Sequence, residues 1–81
     1  MIHIIVVGSG CFNCNKLESL CREVVAENNI PAQIEKITDL NRFVDLGIFM
    51  TPGLIINNKM KCSGKLPPKS TLRDWILSEN K

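Results

Sequence analysis

The 81-residue sequence predicts an α/β fold, a four-stranded mixed sheet with helices on both faces in the order β-α-β-α-β-β-α. Three observations carry this reading. Ile2 to Val7 is a six-residue apolar block rich in β-branched side chains, with no helical alternation, the pattern of a strand buried on both faces. Cys14, Leu17, Leu20, Cys21, Val24 and Val25 recur at spacings of three and four, the stripe of an amphipathic helix. Two short runs, Leu54 to Ile56 and Met60 to Ser63, flank Asn57-Asn58-Lys59, whose asparagines tolerate the left-handed conformations of a tight hairpin turn.

The first strand stops at Gly8-Ser9-Gly10, and the long helix follows, with Asn28-Asn29-Ile30-Pro31 ending it because proline biases the preceding residue away from helix. Ala32 to Ile37 alternates as a second strand, parallel to the first through a right-handed crossover. Thr38 supplies an N-capping hydroxyl for a short helix from Asp39 to Leu46, and Gly47 suits its end. Thr51-Pro52-Gly53 leads into the hairpin. Pro67-Pro68 then opens a last helix through Leu72, Trp75 and Ile76, with Ser78 to Lys81 expected to fray. Without repeats, low-complexity stretches or a linker, residues 1–81 read as one domain, and at this size its core is thin.

Ten basic against eight acidic side chains, spread along the chain, give no electrostatic footprint for nucleic acid. Lys59, Lys61, Lys65 and Lys69 read as a solvated face around a hairpin and loop. The apolar run Ile4 to Val7 falls far short of the ~20 residues of a membrane span, and Met1-Ile2-His3 is not a charged leader. The expectation is a chain that begins at Met1, stays in the cytoplasm and binds no membrane. Gly8-Ser9-Gly10 is no dinucleotide fingerprint, since Asn13 stands where that motif needs glycine.

Four cysteines in so small a domain suggest a staple, but Cys11 and Cys14 make a poor one. Closing a loop of about four residues contributes about 2 kcal/mol, against about 4 for the loop of about forty that Cys21 and Cys62 would close. Cys21 fits the apolar stripe of the helix, and free cysteine is a common buried residue. Cys11-Phe12-Asn13-Cys14 instead lies where the turn after the first strand becomes a helix. First-turn amides lack intrahelical partners and the helix dipole adds about half a positive charge, so a thiolate at Cys11 is favoured and its pKa lowered. Lowering a thiol from about 8.5 to about 7 raises its thiolate fraction at neutral pH from roughly 3% to roughly half, and makes it the better leaving group. Cys14, three residues on, stands on the same side of the first turn.

Cys11-Phe12-Asn13-Cys14 after the first strand, with Thr51-Pro52 before the third, resembles the thioredoxin and glutaredoxin superfamily, and within it the small, minimal-fold redox-active disulfide proteins. The likeness runs through Gly10-Cys11, Cys14, Leu17, Pro52-Gly53, Asn58-Lys59 and Ser63-Gly64-Lys65-Leu66-Pro67. It implies dithiol and disulfide exchange with Cys11 as nucleophile and Cys14 as resolving thiol, and a cis peptide bond at Thr51-Pro52. Substrate contacts fall to Gly10, Phe12, Asn13, Thr51 and Pro52, with the Thr51 backbone pairing with an extended segment. It further implies a monomer without metal or other cofactor, serving disulfide substrates and recharged by a reductase. Two departures stand out. Where thioredoxin carries a Trp before its first cysteine and a proline inside the pair, this chain has Gly10 and Phe12-Asn13. The buried acid of thioredoxin's strand is absent from residues 2–7, where His3 is the one ionisable group and reads as a strand-end residue rather than a base.

The alternative is a metallochaperone-like carrier of Cu(I) or Zn(II) on the same two thiolates. Such carriers usually run β-α-β-β-α-β, whereas this sequence reads to a final helix around Trp75. Cys14 and Cys21, seven residues apart on one helix, lie roughly 10 Å apart, too far to share one zinc ion. A glutathione-using variant would draw on Lys16 and Lys65 as the cationic rim.

Overall fold

A computed structural model of the chain describes residues 1–8, 12–38, 45 and 50–79. The described elements are strand β1 (Ile2–Val7), helix α1 (Phe12–Glu27), strands β2 (Ala32–Ile37), β3 (Gly53–Ile56) and β4 (Lys59–Ser63), and helix α2 (Lys69–Glu79). They form an α/β fold around one mixed sheet of order β2-β1-β3-β4. β1 runs parallel to β2 from Ile2↔Ala32 to Val7↔Ile37, and antiparallel to β3 from Ile4↔Ile56 to Val7↔Gly53. β3 and β4 form the expected hairpin, with Asn57 at φ 50° and Asn58 at φ 67°.

Apolar except for His3, β1 is central and buries both faces. Ile2, Ile4 and Val6 join Leu17, Cys21 and Val24 of α1, Leu54 and Ile56 of β3, and Leu72 and Ile76 of α2 in the main core. Ile5 and Val7 pack with Ile37 and Ile55 in a smaller cluster on the opposite face. Leu20 and Val25, expected inward, are partly buried at the margin of the main core. Both described helices lie on that one face. The short helix expected from Asp39 to Leu46, which would cover the other, lies outside the described residues except for Asp45, which is helical.

The helix ends have local causes, and one of them, the end of α2, differs from expectation. α1 begins at Phe12, a half-turn before the first apolar position of its stripe. It ends through a cap rather than through Pro31. Asn29 adopts φ 52°, its N–H donates to Ala26 C=O (3.4 Å) and that of Ile30 to Val25 C=O (2.9 Å), the Schellman pattern that satisfies terminal carbonyls. α2 continues through Ser78 and Glu79 instead of fraying. The Glu79 carboxylate lies 3.2 Å from Lys59 Nζ and 3.8 Å from Lys61 Nζ on β4, tying the last turn to the sheet edge.

A bulge shapes that edge. Leu54 pairs with Cys62 but Ile55 pairs with Met60, leaving Lys61 as the extra residue. Plain alternation would put Lys59 and Cys62 on opposite faces. The extra residue brings both to the helix side, because Cys62 opposes Leu54 and Lys59 opposes Ile56, both members of the main core.

Candidate redox site

Parallel pairing with β2 carries β1 up to Gly8, whose N–H donates to Ile37 C=O (2.9 Å). The chain then re-enters as α1, and its first turn sets Cys14 back over the strand end. Cys14 is fully buried and disulfide-bonded. Its Sγ lies so close to Gly8 that a methyl group there would stand 2.2 Å from the sulfur and 2.7 Å from Cys14 Cβ. Gly8 is therefore glycine because the sulfur occupies the space of a side chain. Pro52 is one step beyond the last β1–β3 pair, Val7↔Gly53, which brings it to the same strand end. It is buried, the Thr51-Pro52 peptide bond is cis, and Gly64 N–H donates to Pro52 C=O (2.9 Å).

The residues anticipated from the sequence thus divide. Cys14, Thr51 and Pro52 lie in segments that converge on Gly8, while Phe12 and Asn13 are exposed on the first turn of α1, Phe12 by 80%. Gly10 and Cys11 lie outside the described residues. Lys16 and Lys65 are exposed. His3 sits at the far end of β1, where Nε2 lies 2.9 Å from the Glu35 carboxylate, consistent with a strand-end role. Sequence reasoning missed the close approach of Cys14 to Gly8, for which the one signal was a glycine directly after the strand.

The remaining thiols are a different chemical kind. Cys21 and Cys62 are free. Burial, reinforced by the charge on Cys62, pushes Cys21 up to about 12, and burial also raises Cys62. Beside the first turns of α1, Lys36 Nζ donates to Asn15 Oδ1 and lies 3.5 Å from Glu18. A hydrogen bond from Arg22 (3.0 Å), aided by Lys36, holds the Glu18 carboxyl below its ordinary value. Among the described residues no group of three or more His, Cys, Asp or Glu could hold a metal ion, and no helix is long and apolar enough to cross a membrane.

Residues 2–77 match the thioredoxin domain family. A protein named thioredoxin from Methanothermobacter thermautotrophicus is 36% identical over 78 residues, covering 96% of this chain and 100% of that protein. Another named thioredoxin, from Methanocaldococcus jannaschii, is 31% identical over 78 residues, covering 96% of this chain and 90% of the relative. With its mixed four-stranded sheet and helical cover, the fold is a minimal thioredoxin-like one. The chain belongs to the thioredoxin domain family.

Proposed function

We propose that this chain is a thiol–disulfide oxidoreductase acting through Cys11 and Cys14, and that Cys11 is the partner of Cys14 in its disulfide. The observation that carries the reading is the placement of disulfide-bonded Cys14, buried in the first turn of α1 at the strand end where Gly8 and the cis Thr51-Pro52 bond also lie. In the reduced form the Cys11 thiolate attacks one sulfur of a substrate disulfide and expels the other as a thiolate, which takes up a proton. Cys14 then loses its proton and attacks Cys11 Sγ, releasing the second substrate thiol and closing the intramolecular disulfide. Two electrons pass to the substrate, and an external dithiol reductase returns them. Burial of Cys14 suits this division of labour, because a resolving thiol need meet only its neighbour.

Thr51 supports the substrate side of the reading. Among the described residues neither its N–H nor its C=O has a hydrogen-bond partner, and in this reading both pair with an extended segment laid beside them. Gly10, Phe12 and Asn13 complete the contact surface, in a single domain working as a monomer in the cytoplasm. Nothing in the fold favours the metal-carrier alternative, since the described elements run β-α-β-β-β-α rather than β-α-β-β-α-β.

Single substitutions test the assignment. Cys11→Ser should abolish reduction of a disulfide substrate, and Cys14→Ser should accumulate a protein–substrate mixed disulfide seen as added mass. Unchanged turnover in either variant overturns it.

A further inference from the structure

We infer that Cys21 and Cys62 are a second oxidisable pair, in which Cys62 at the rim of the main core takes up an oxidant and buried Cys21 resolves it to a disulfide joining α1 to β4. The inference goes beyond the oxidoreductase reading and uses neither Cys11 nor Cys14. Both thiols are free, and neither belongs to the site at Gly8.

Three observations bring them together. Cys62 opposes Leu54 on the helix side, where the bulge at Lys61 puts it. Cys21, fully buried on α1, is a member of the core against which Cys62 packs from the sheet edge. The two sulfurs are also electrostatic neighbours, because a charge on Cys62 acts on Cys21.

Their surroundings assign different roles. Cys62 is partly buried, and its Sγ donates to Lys65 C=O (3.7 Å). Burial raises its pKa, and a backbone hydrogen bond from Leu54 offsets part of that rise. Solvent therefore reaches Cys62, whereas Cys21 meets only an electrophile carried inward on its neighbour.

The oxidant is a low-molecular-weight disulfide. The Cys62 thiolate attacks one of its sulfurs, forming a mixed disulfide and expelling the other as a thiolate, which takes up the proton that Cys62 lost. Cys21 then loses its proton and attacks Cys62 Sγ. That step closes the protein disulfide and releases the second small thiolate, which takes up that proton. Two protein thiols are oxidised and one small disulfide is reduced to two thiols. Cys21 thiolate is scarce, but effective molarities of well-oriented neighbours reach about 10⁵ M or more and offset the scarcity. The product crosslinks helix and sheet edge across about forty residues and keeps the rim thiol from linking to a second chain.

The test incubates the native full-length chain with oxidised glutathione, then unfolds it in acid, blocks free thiols and maps tryptic peptides without reduction. Trypsin places Cys21 in residues 17–22 and Cys62 in residues 62–65, apart from Cys11 and Cys14 in residues 1–16. Monomeric protein should yield the 17–22 peptide joined to the 62–65 peptide. Cys21→Ala should lose that product and accumulate glutathione on Cys62, and Cys62→Ser should leave Cys21 free. Wild-type protein whose Cys62 stays unmodified, keeps glutathione or links to a second chain overturns the inference. So does a 17–22 to 62–65 link that forms only in denaturant. The wild-type map carries the test if either variant fails to fold.

Discussion

Cys14 Sγ occupies the position where any residue other than glycine at position 8 would place its Cβ, at a separation of 2.2 Å. Strand and helix meet there with no spare volume. Gly8→Ala must push either the β1 end or the first turn of α1, and overpacking of this kind costs about 1–3 kcal/mol. The thermal midpoint should fall by about 4–8 °C for each kcal/mol. In a Cys14→Ala background the same substitution should cost distinctly less, and a double-mutant cycle measures the difference. Strict additivity would mean the contact is not the cause.

Cys21 should be chemically silent in the native protein. With its pKa near 12, only about one molecule in ten thousand carries the thiolate at pH 8. Maleimide labelling followed by peptide mass mapping should modify Cys62 first and Cys21 only on unfolding. Comparable labelling rates for the two would contradict the burial that the structure gives Cys21.

The same shift makes stability fall at alkaline pH. Because folding raises the Cys21 pKa from 9.0 to about 12, the unfolded chain binds fewer protons than the native state across that interval. The stabilisation is complete below about pH 9 and is lost as pH rises toward 12, on the order of 1.4 kcal/mol per pH unit. Urea midpoints between pH 8 and 10.5 should therefore drop more steeply for the wild type than for Cys21→Val. Parallel slopes would assign the loss to other groups.

Two adjacent asparagines with the same backbone handedness should respond oppositely to glycine. Asn58 supplies only its left-handed conformation, so Asn58→Gly should leave stability unchanged or raise it by up to about 1 kcal/mol, Asn-Gly being the favoured pair for this turn. Asn57 also accepts the His3 N–H through Oδ1 (2.9 Å) and donates its own N–H to His3 C=O (2.8 Å). Asn57→Gly removes the first of these bonds and should destabilise by about 1 kcal/mol. Chemical denaturation of the two variants side by side distinguishes them.

Ile76 is fully buried where α2 covers the main core, and Ile76→Ala should cost about 2–5 kcal/mol. For 81 residues the total stability is about 4–12 kcal/mol, so circular dichroism should show either a much lowered midpoint or a population already unfolded at 25 °C. A midpoint within a few degrees of the wild type would mean that α2 is dispensable to the core.

Local chemistry along the chain was enough to place most elements. The β-branched block Ile2–Val7, the three-four spacing from Cys14 to Val25 and the Asn57-Asn58 turn each express a backbone preference or a periodicity, and each element formed where those signals lay. The two-cysteine spacing at the start of a helix likewise marked a candidate site, because the first-turn amides that favour a thiolate depend only on helix position. Proximity between distant segments was not legible. That Gly8 must lack a side chain to admit a sulfur six residues later, and that Met50 lies along Gly64, follow from how strand ends meet. So does the face taken by Cys62, since one extra residue in β4 reverses the alternation that a period of two predicts. Sequence patterns report which side of an element is apolar, whereas volume exclusion between elements exists only once they are packed, and that packing decides which glycines and which thiols the site depends on.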